Sequence, residues 1–215
     1  MAYHGLIKPM CQVLSSYKAP AVLEIGVNTG LTYIPLLHYL LKHRDMFTLM
    51  GCDIDINGSV RGMAGIMAWE FTEDQQVVLV EKNSLKLLPD LIEKGFKFDI
   101  MFVDGDHNYY TVSKELDYIN QLASEDPIII CDDYHGRWSE RDMFYSARED
   151  QLENEKATPP QGGPKAGVKM AVDEFLEKYP DWKVFKHGGV CVDITGEPIV
   201  LHKGFLDNFA WNKNE

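Results

Sequence analysis

Apolar residues follow two alternating patterns along most of the chain. Short, nearly continuous apolar runs occur at residues 21–27, 47–53, 76–81, 98–103 and 127–131, as is typical of parallel strands that are buried on both faces. The stretches between these runs have helical spacing, and the clearest one is the stripe formed by Val112, Leu116, Ile119 and Ala123. This alternation predicts a doubly wound α/β fold with a Rossmann-like, mostly parallel sheet.

The alternation stops after the fifth predicted strand, where residues 134–167 form a long polar segment. Within it, residues 158–164 are so rich in proline and glycine that regular structure is not expected there, while residues 139–152 are compatible with a short helix. A loop of this length in a compact domain is usually functional or else disordered. We interpret it as a lid over an active site.

Apolar spacing returns after the loop and predicts a helix at residues 168–179. Residues 182–186 and 190–194 then flank His187-Gly188-Gly189, which is the pattern of a tight antiparallel hairpin. This hairpin brings the predicted sheet to seven strands. The sequence shows no sign of a repeat or of a domain boundary, so residues 1–215 are interpreted as one domain.

Charge and composition limit the expected partners. The chain has 21 Lys and Arg against 33 Asp and Glu, a net charge of −12, and such a surface repels phosphate backbones and anionic lipids. We therefore expect a small-molecule enzyme that binds neither nucleic acid nor membranes. We see no long apolar span, no secretory signal and no Cys-x-x-Cys pair, which predicts a cytoplasmic protein with reduced thiols.

A glycine-containing loop follows the first predicted strand. Gly26 and Gly30 let the backbone turn sharply or approach a ligand, although a tight turn without a ligand is the alternative. Dinucleotide sites have a glycine where this chain has Asn28, and the Glu24 carboxylate repels a diphosphate but suits a sulfonium or ammonium group. Asp53, which ends the second strand, is either a ribose ligand or a solvated carboxylate.

Three aspartates follow the fourth and fifth predicted strands. Asp104 comes directly after one strand, and Asp132 and Asp133 come directly after the other. The carboxyl ends of neighbouring parallel strands meet at one edge of the sheet, so we expect these side chains to converge. Crowded carboxylates repel each other, and a hard divalent cation such as Mg²⁺, or else Mn²⁺ or Ca²⁺, relieves that repulsion. Capping of the following helix or loop is the alternative.

The glycine loop resembles the first motif of the class I S-adenosylmethionine-dependent methyltransferases, acid-x-Gly-x-x-x-Gly, which Glu24, Gly26 and Gly30 match. The resemblance covers about residues 20–195 and includes the antiparallel end of the sheet. It implies S-adenosylmethionine as cofactor, with Asp53 at the ribose and polar residues after the third strand at the adenine. The implied cofactor site consists of Glu24, Gly26, Asn28, Gly30, Asp53, Ile54, Asn83, Ser84 and Asp104.

Three further segments are similar to the metal-dependent O-methyltransferases of the catechol type and of the macrolide or aminocoumarin sugar type. They are Asp-Gly-Asp-His-x-Tyr at residues 104–109, Asp-Asp-Tyr at 132–134 and Ala-Val-Asp-Glu-Phe at 171–175. The loop between the second and third segments is much longer than in the short forms of these enzymes. The similarity implies that Mg²⁺, or Mn²⁺ or Ca²⁺, is held by Asp104, Asp132 and Asp133.

His107 is the candidate general base and, with Asp104, completes the predicted catalytic pair. The catechol enzymes carry a basic lysine at the same offset, and histidine side chains titrate near neutral pH. A hydrogen-bonding role for His107 at the start of a helix is the alternative.

The leading hypothesis is therefore a metal-assisted O-methyltransferase that acts on a small hydroxylated acceptor, such as a sugar, a polyol or a catechol-like compound. The alternatives are a metal-independent methyltransferase for another nucleophile, an NAD-dependent oxidoreductase, and a methyltransferase fold that only binds ligands. Related small-molecule enzymes are often dimers, so a homodimer is among the expectations.

Overall fold

The computed structural model of the protein describes residues 11, 13–67, 72–147, 156–185 and 198–204. The strands are β1 (Ala21–Ile25), β2 (Phe47–Asp53), β3 (Gln75–Glu81), β4 (Phe98–Val103), β5 (Ala123–Cys131), β6 (Lys183–Val184) and β7 (Ile199–His202). The helices are α1 (Tyr33–His43), α2 (Gly58–Met67), α3 (Ser84–Glu93), α4 (Tyr109–Leu122) and α5 (Val168–Lys178). None of the helices in these described ranges is long and apolar enough to cross a membrane.

The seven strands form one sheet in the order β3-β2-β1-β4-β5-β7-β6. Strands β1 to β5 pair in parallel, and β7 pairs antiparallel with both β5 and β6. The predicted doubly wound fold with an antiparallel end is therefore confirmed. The order of the strands reverses between β1 and β4, and in sheets of this kind ligands bind at the carboxyl ends of the strands beside that point.

The strand boundaries agree with the apolar runs except where the backbone geometry intervenes. Strands β2 and β4 have the predicted limits, and β3 begins one position early, at Gln75. Strand β1 ends at Ile25 because Gly26, with φ +91°, turns the chain away from the sheet. Strand β5 already begins at Ala123, so the last residue of the predicted helical stripe belongs to the strand.

The antiparallel end of the sheet contains a strand that the sequence analysis did not predict. The partner of β6 is β7, in which Ile199 and Leu201 are buried and Leu201 pairs with Ile129 of β5. The predicted partner, residues 190–194, lies outside the described residues. The assignment missed β7 because only a short apolar run marks it.

Side chains of the sheet point alternately into two apolar cores. Leu23 and Ile25 of β1 belong to the core beneath α3, α4 and α5, while Val22 belongs to the core beneath α1 and α2. Cys52 and Cys131 are buried in the first core as free thiols. Because both faces are covered, the carboxyl edge of the sheet is the place where polar residues collect.

The long loop carries little regular structure in its described parts, 134–147 and 156–167. A single 3₁₀ turn, Tyr145–Ala147, stands where the sequence favoured a helix at residues 139–152, of which 148–152 lie outside the described residues. Residues 158–164 have neither helix nor strand, as predicted from their proline and glycine content.

Candidate active site

The turn after β1 brings the ends of two neighbouring strands into contact. Gly26 has φ +91°, and its N–H donates to the carbonyl of Cys52 at 2.8 Å. A Cβ atom on Gly26 would lie 1.9 Å from the carbonyl oxygen of Asp104, so only glycine fits at this position. Asn28 and Gly30 also have positive φ angles, of 46° and 75°. The predicted glycine loop is therefore a tight, left-handed turn at the switch point of the sheet.

Asp53 stabilises this turn from the end of β2. Its two carboxylate oxygens accept the N–H of Asn28 at 2.8 Å and that of Asp55 at 3.0 Å. Burial raises the pKa of Asp53 above its usual range, although these two N–H groups and that of Ile54 act to lower it. Each carboxylate oxygen has a second lone pair. The predicted ribose contact of Asp53, with Ile54 beside it, is compatible with this geometry and stays a prediction.

Glu24 lies in the interior of the sheet. Its side chain is 2% exposed, and within the described part of the chain its Oε2 atom has no hydrogen-bond partner. Burial, followed by the charge of Asp53, raises the pKa of Glu24 well above its usual range. Burial of this kind favours the protonated form of an acid, and a cationic group that approaches it favours the carboxylate. Its unpartnered oxygen is a feature that a bound ligand would satisfy.

Asn83 joins the start of α3 to the far end of the long loop. Its Oδ1 accepts the N–H of Leu85 at 2.9 Å and so caps the helix. Its Nδ2 donates to the carbonyl of Lys156 at 2.7 Å and to Oγ1 of Thr158 at 3.0 Å. The predicted adenine contact of Asn83 stays a prediction, and the acceptor left for it is the second lone pair of Oδ1.

Ser84, the second residue predicted at the adenine, is bonded to a buried acid that the sequence analysis missed. Its hydroxyl donates to Oε1 of Glu115 at 2.5 Å, and Glu115 is fully buried beneath the turn that contains Gly105. Burial raises the pKa of Glu115 to about 8. The sequence does carry a signal, because Glu115 is spaced to fall on the apolar stripe of α4.

Three side chains converge at the ends of β4 and β5. The backbone holds both ends in register, because Asp104 donates its N–H to the carbonyl of Ile25 and Asp132 donates to that of Val103, at 2.9 and 3.0 Å. One ligand atom from each of Asp104, His107 and Asp132 lies within 4.8 Å of the other two. Two of the three predicted metal ligands therefore meet, with the predicted base between them.

The third predicted ligand, Asp133, lies on the other side of the imidazole. Its Oδ2 is 3.3 Å from Nδ1 of His107, whose Nε2 is 3.8 Å from Oδ1 of Asp104. Asp133 is buried and has φ +57°, and its Oδ1 accepts the N–H of Trp138 at 3.4 Å. In this arrangement Asp133 contacts Nδ1 of the histidine. Direct ligation of a metal by Asp133 stays a prediction.

The segment that carries His107 is fixed by the first part of the loop. The N–H of Met143 donates to the carbonyl of His107 at 2.9 Å, and the Asn108 side chain donates to the carbonyl of Met143 at 3.3 Å while it caps α4. Asp106 accepts the N–H of Tyr145 at 3.0 Å, and burial raises the pKa of Asp106 above its usual range. The loop therefore packs directly against the candidate site.

The loop also contacts the elements that flank the site. Asp142 accepts the N–H groups of Tyr109 and Gly167, both at 2.8 Å, so that one carboxylate joins α4 to the start of α5. At the other end of the described loop, Lys156 forms an ion pair with Glu81 at the end of β3. The loop therefore bonds to the start of α4, the start of α5 and the end of β3, and its role as a lid stays a prediction.

Two acids of α5 hold tyrosines that stand next to the site residues. The Tyr134 hydroxyl donates to Oδ1 of Asp173 at 2.7 Å, and the Tyr109 hydroxyl donates to Oε2 of Glu174 at 2.6 Å. Tyr134 follows Asp133, and Tyr109 lies two positions after His107. In the sequence, these acids of α5 stand out only as part of a family motif. In the structure they bond to the two segments that carry Asp133 and His107.

A sequence model of the family described as a methyltransferase domain matches residues 23–134, just over half of the chain. The chain belongs to this methyltransferase family. The identification as a class I, S-adenosylmethionine-dependent methyltransferase is thereby confirmed, and with it the prediction of an enzyme. The matched residues run from within β1 to Tyr134. They include the glycine turn and the predicted site residues Asp53, Asn83, Asp104, His107, Asp132 and Asp133. A search of curated proteins found no match to this methyltransferase.

Several solved structures with the same fold are methyltransferases by their descriptions, and TomG and CalS11 are described as O-methyltransferases. The enzyme TomG from Streptomyces achromogenes, in complex with S-adenosylmethionine, is 18% identical, with a TM-score of 0.52 over 93% of this chain and 78% of TomG. CalS11, described as a TDP-rhamnose 3'-O-methyltransferase, is 12% identical, with a TM-score of 0.57 over 94% and 79% of the two chains. MycE, bound to Mg, S-adenosylhomocysteine and mycinamycin VI, is 12% identical, with a TM-score of 0.53 over 96% of this chain and 51% of MycE. At these identities the likeness shows the fold.

Proposed function

We propose that this methyltransferase transfers the methyl group of S-adenosylmethionine to a hydroxyl oxygen of a small acceptor with the help of a divalent cation. The observation that carries the proposal is the convergence of Asp104, His107 and Asp132 beside the glycine turn. Methyl transfer requires that the oxygen and the sulfonium carbon be held in line. The carboxyl edge at this switch point offers a site for both groups.

The residues of the turn are suited to the methyl donor. Gly26 lets the turn pack directly against the backbone of Asp104, and Asp53 has lone pairs left for ribose hydroxyls. The unpartnered Oε2 of Glu24 is available to a polar or cationic part of the donor. The structures of TomG and MycE, described as complexes with S-adenosylmethionine and S-adenosylhomocysteine, support the same assignment.

The donor set is suited to a divalent cation. We infer that Asp104 and Asp132 hold Mg²⁺ or Mn²⁺, with Ca²⁺ as the further option, because two carboxylates lie this close in a chain of net charge −12. When bound, such a cation lowers the pKa of an acceptor hydroxyl and fixes a neighbouring oxygen. The Mg in the MycE structure supports this inference.

We infer that His107 accepts the proton of the acceptor hydroxyl at Nε2. Its other ring nitrogen lies 3.3 Å from Asp133, which can hold the Nδ1–H tautomer and stabilise the ring once it is protonated. Asp133 thus acts through His107, and Asp104 contributes a carboxylate 3.8 Å from the accepting nitrogen.

The acceptor that fits this arrangement is a small molecule with two neighbouring oxygens, such as a sugar, a polyol or a catechol-like compound. One oxygen is methylated while the second is held by the cation. The loop at residues 134–167 serves as the lid that excludes water, and the whole chain acts as one methyltransferase domain. Homodimer formation and a cytoplasmic location stay predictions.

A tritiated-methyl transfer assay against pools of hydroxylated metabolites tests the proposal. We expect labelled product that EDTA abolishes and Mg²⁺ or Mn²⁺ restores. Activity that survives chelation would indicate the metal-independent alternative. Binding of S-adenosylmethionine without any turnover would indicate a binding module, and preferential binding of NAD would indicate an oxidoreductase.

A further inference from the structure

Two arginines at the start of the long loop pack against one indole ring. The guanidinium carbons of Arg137 and Arg141 lie 4.6 and 4.8 Å from the centroid of the Trp138 ring. Nε of Arg141 also donates to the carbonyl of Arg137 at 3.1 Å, which ties the two residues together. Both arginines are exposed, and Trp138 is half-buried. We refer to these three residues as the arginine cluster.

The arginines of the cluster differ from seven other basic side chains in that they have no carboxylate partner among the described residues. Ion pairs with Asp or Glu are formed by Arg61, Lys82, Lys156, Lys165, Lys169, Lys178 and Lys203. Neither Arg137 nor Arg141 forms an ion pair with a carboxylate of the described residues. Two like charges against one ring repel each other, and a bound anion relieves that repulsion. In a chain of net charge −12, the cluster holds two positive charges against one ring.

The arginine cluster is fixed next to the candidate active site. The N–H of Trp138 donates to Oδ1 of Asp133 at 3.4 Å, and Asp133 in turn contacts His107. The first turn of α5 holds the cluster from the other side, because the N–H of Val168 donates to the carbonyl of Trp138 at 3.1 Å. A group bound by the arginines is therefore presented to the site in a defined position.

We propose that the arginine cluster binds a phosphoryl group carried by the acceptor, so that the preferred acceptors are hydroxyl compounds that bear a phosphate or a diphosphate. This inference rests on the proposed function and narrows its substrate class. A guanidinium pairs with phosphate through two parallel hydrogen bonds. A phosphate or diphosphate has enough anionic oxygens to pair with two guanidiniums, whereas a single carboxylate has only two oxygens. Neutral sugars and catechols have no anionic group that could pair with the arginines, so we expect them to be poor substrates.

A calorimetric titration with inorganic pyrophosphate tests the cluster directly. EDTA and S-adenosylhomocysteine are present throughout, so that pyrophosphate binds neither through a metal cation nor in an empty methyl-donor site. The Arg137→Gln/Arg141→Gln variant lacks both guanidinium groups, so it should bind pyrophosphate about tenfold or more weakly because charge-assisted hydrogen bonds are lost. Lys42→Gln, which removes one charge in the last turn of α1, should change the affinity by less than about twofold. Equal affinities for the wild type and the double variant, or no binding by the wild type, would overturn the inference.

The methyl-transfer assay then separates this inference from the proposed function. One pool is untreated, one is treated with phosphatase, and one is treated with phosphodiesterase followed by phosphatase. Loss of labelled product with phosphatase alone indicates a phosphate monoester, and loss only after both enzymes indicates a diphosphate-linked acceptor. Full labelling after both treatments overturns the inference and leaves the proposed function intact. No labelling of any pool counts against the proposed function, and the pyrophosphate titration still decides the role of the cluster.

Discussion

Nδ1 of His107 lies 3.3 Å from Oδ2 of Asp133, while Nε2 lies 3.8 Å from Oδ1 of Asp104. The ring is thus placed between an acid that holds it and an acid of the candidate metal group. An acid at Nδ1 selects the tautomer in which Nε2 accepts a proton. The two neighbouring aspartates after β5 therefore face different partners, because Asp132 lies in the group with Asp104 and His107, and Asp133 lies at Nδ1 of the histidine.

Asp133→Asn is expected to lower turnover by about 10- to 100-fold while the affinity for Mn²⁺ changes little, because the side chain acts through His107. Turnover under saturating acceptor and calorimetric titration with Mn²⁺ measure the two effects. Asp132→Asn is the matched comparison, and it should weaken Mn²⁺ binding itself. If both variants lose Mn²⁺ affinity to the same extent, Asp133 is a direct ligand, as the sequence analysis predicted.

Gly26→Ala is expected to reduce both stability and cofactor binding. The added Cβ meets the Asp104 carbonyl at 1.9 Å in a backbone region of positive φ, so we expect a loss of about 2 kcal/mol or more. Gly62→Ala in α2 is the control, because a Cβ there has no neighbour within 4 Å and should stabilise the helix by about 0.5–1 kcal/mol. Urea unfolding and titration with S-adenosylmethionine provide the readouts. A Gly26→Ala variant with unchanged stability and affinity would contradict the close approach of β1 to Asp104.

Glu115 should make the stability of the fold depend on pH. Its pKa is raised to about 8 by burial, so the folded state binds this proton more tightly than the unfolded state does. The stabilisation is complete below the pKa of the unfolded state and is lost as the pH rises toward about 8. Glu115→Gln keeps an oxygen for Ser84 but cannot ionise, so its advantage over the wild type should grow with pH.

Urea midpoints between about pH 5 and pH 9 measure this difference. Glu177→Gln, at an exposed position of α5, should shift the midpoint by a constant amount. An advantage of Glu115→Gln that does not vary with pH would show that Glu115 is ionised in the folded protein throughout the range.

Thr158→Val should loosen the far end of the loop. The substitution keeps the shape of a buried side chain and removes the hydroxyl that accepts from Asn83. We expect faster proteolytic cleavage within the exposed residues 159–163, and slower cleavage when S-adenosylmethionine and acceptor are bound. Ser113→Ala in α4 is the control, because within the described ranges this hydroxyl donates to the carbonyl of Tyr110 in its own helix turn. Equal cleavage rates in Thr158→Val and wild type would indicate that Asn83 does not anchor the loop.

The sequence predicted the site residues that lie at the ends of buried strands, because the apolar pattern marks where those strands end. The strands that end in Asp53 and before Asp104 were predicted to the residue, because buried parallel strands leave long apolar runs bounded by polar residues. It did not predict that Asp133 would turn toward His107, since a positive φ at an aspartate has no sequence signature. The bond from Asn83 to Thr158 joins residues 75 positions apart and depends on how the loop packs.

Diffraction from crystals grown with S-adenosylhomocysteine and Mn²⁺, with data collected at the manganese absorption edge, tests the central claim most directly. The account predicts an anomalous peak bounded by Asp104, His107 and Asp132, with the nucleoside lying along the glycine turn toward Asp53. A nucleoside in that position with no anomalous peak at the three side chains, or a manganese ion bound elsewhere, would contradict it.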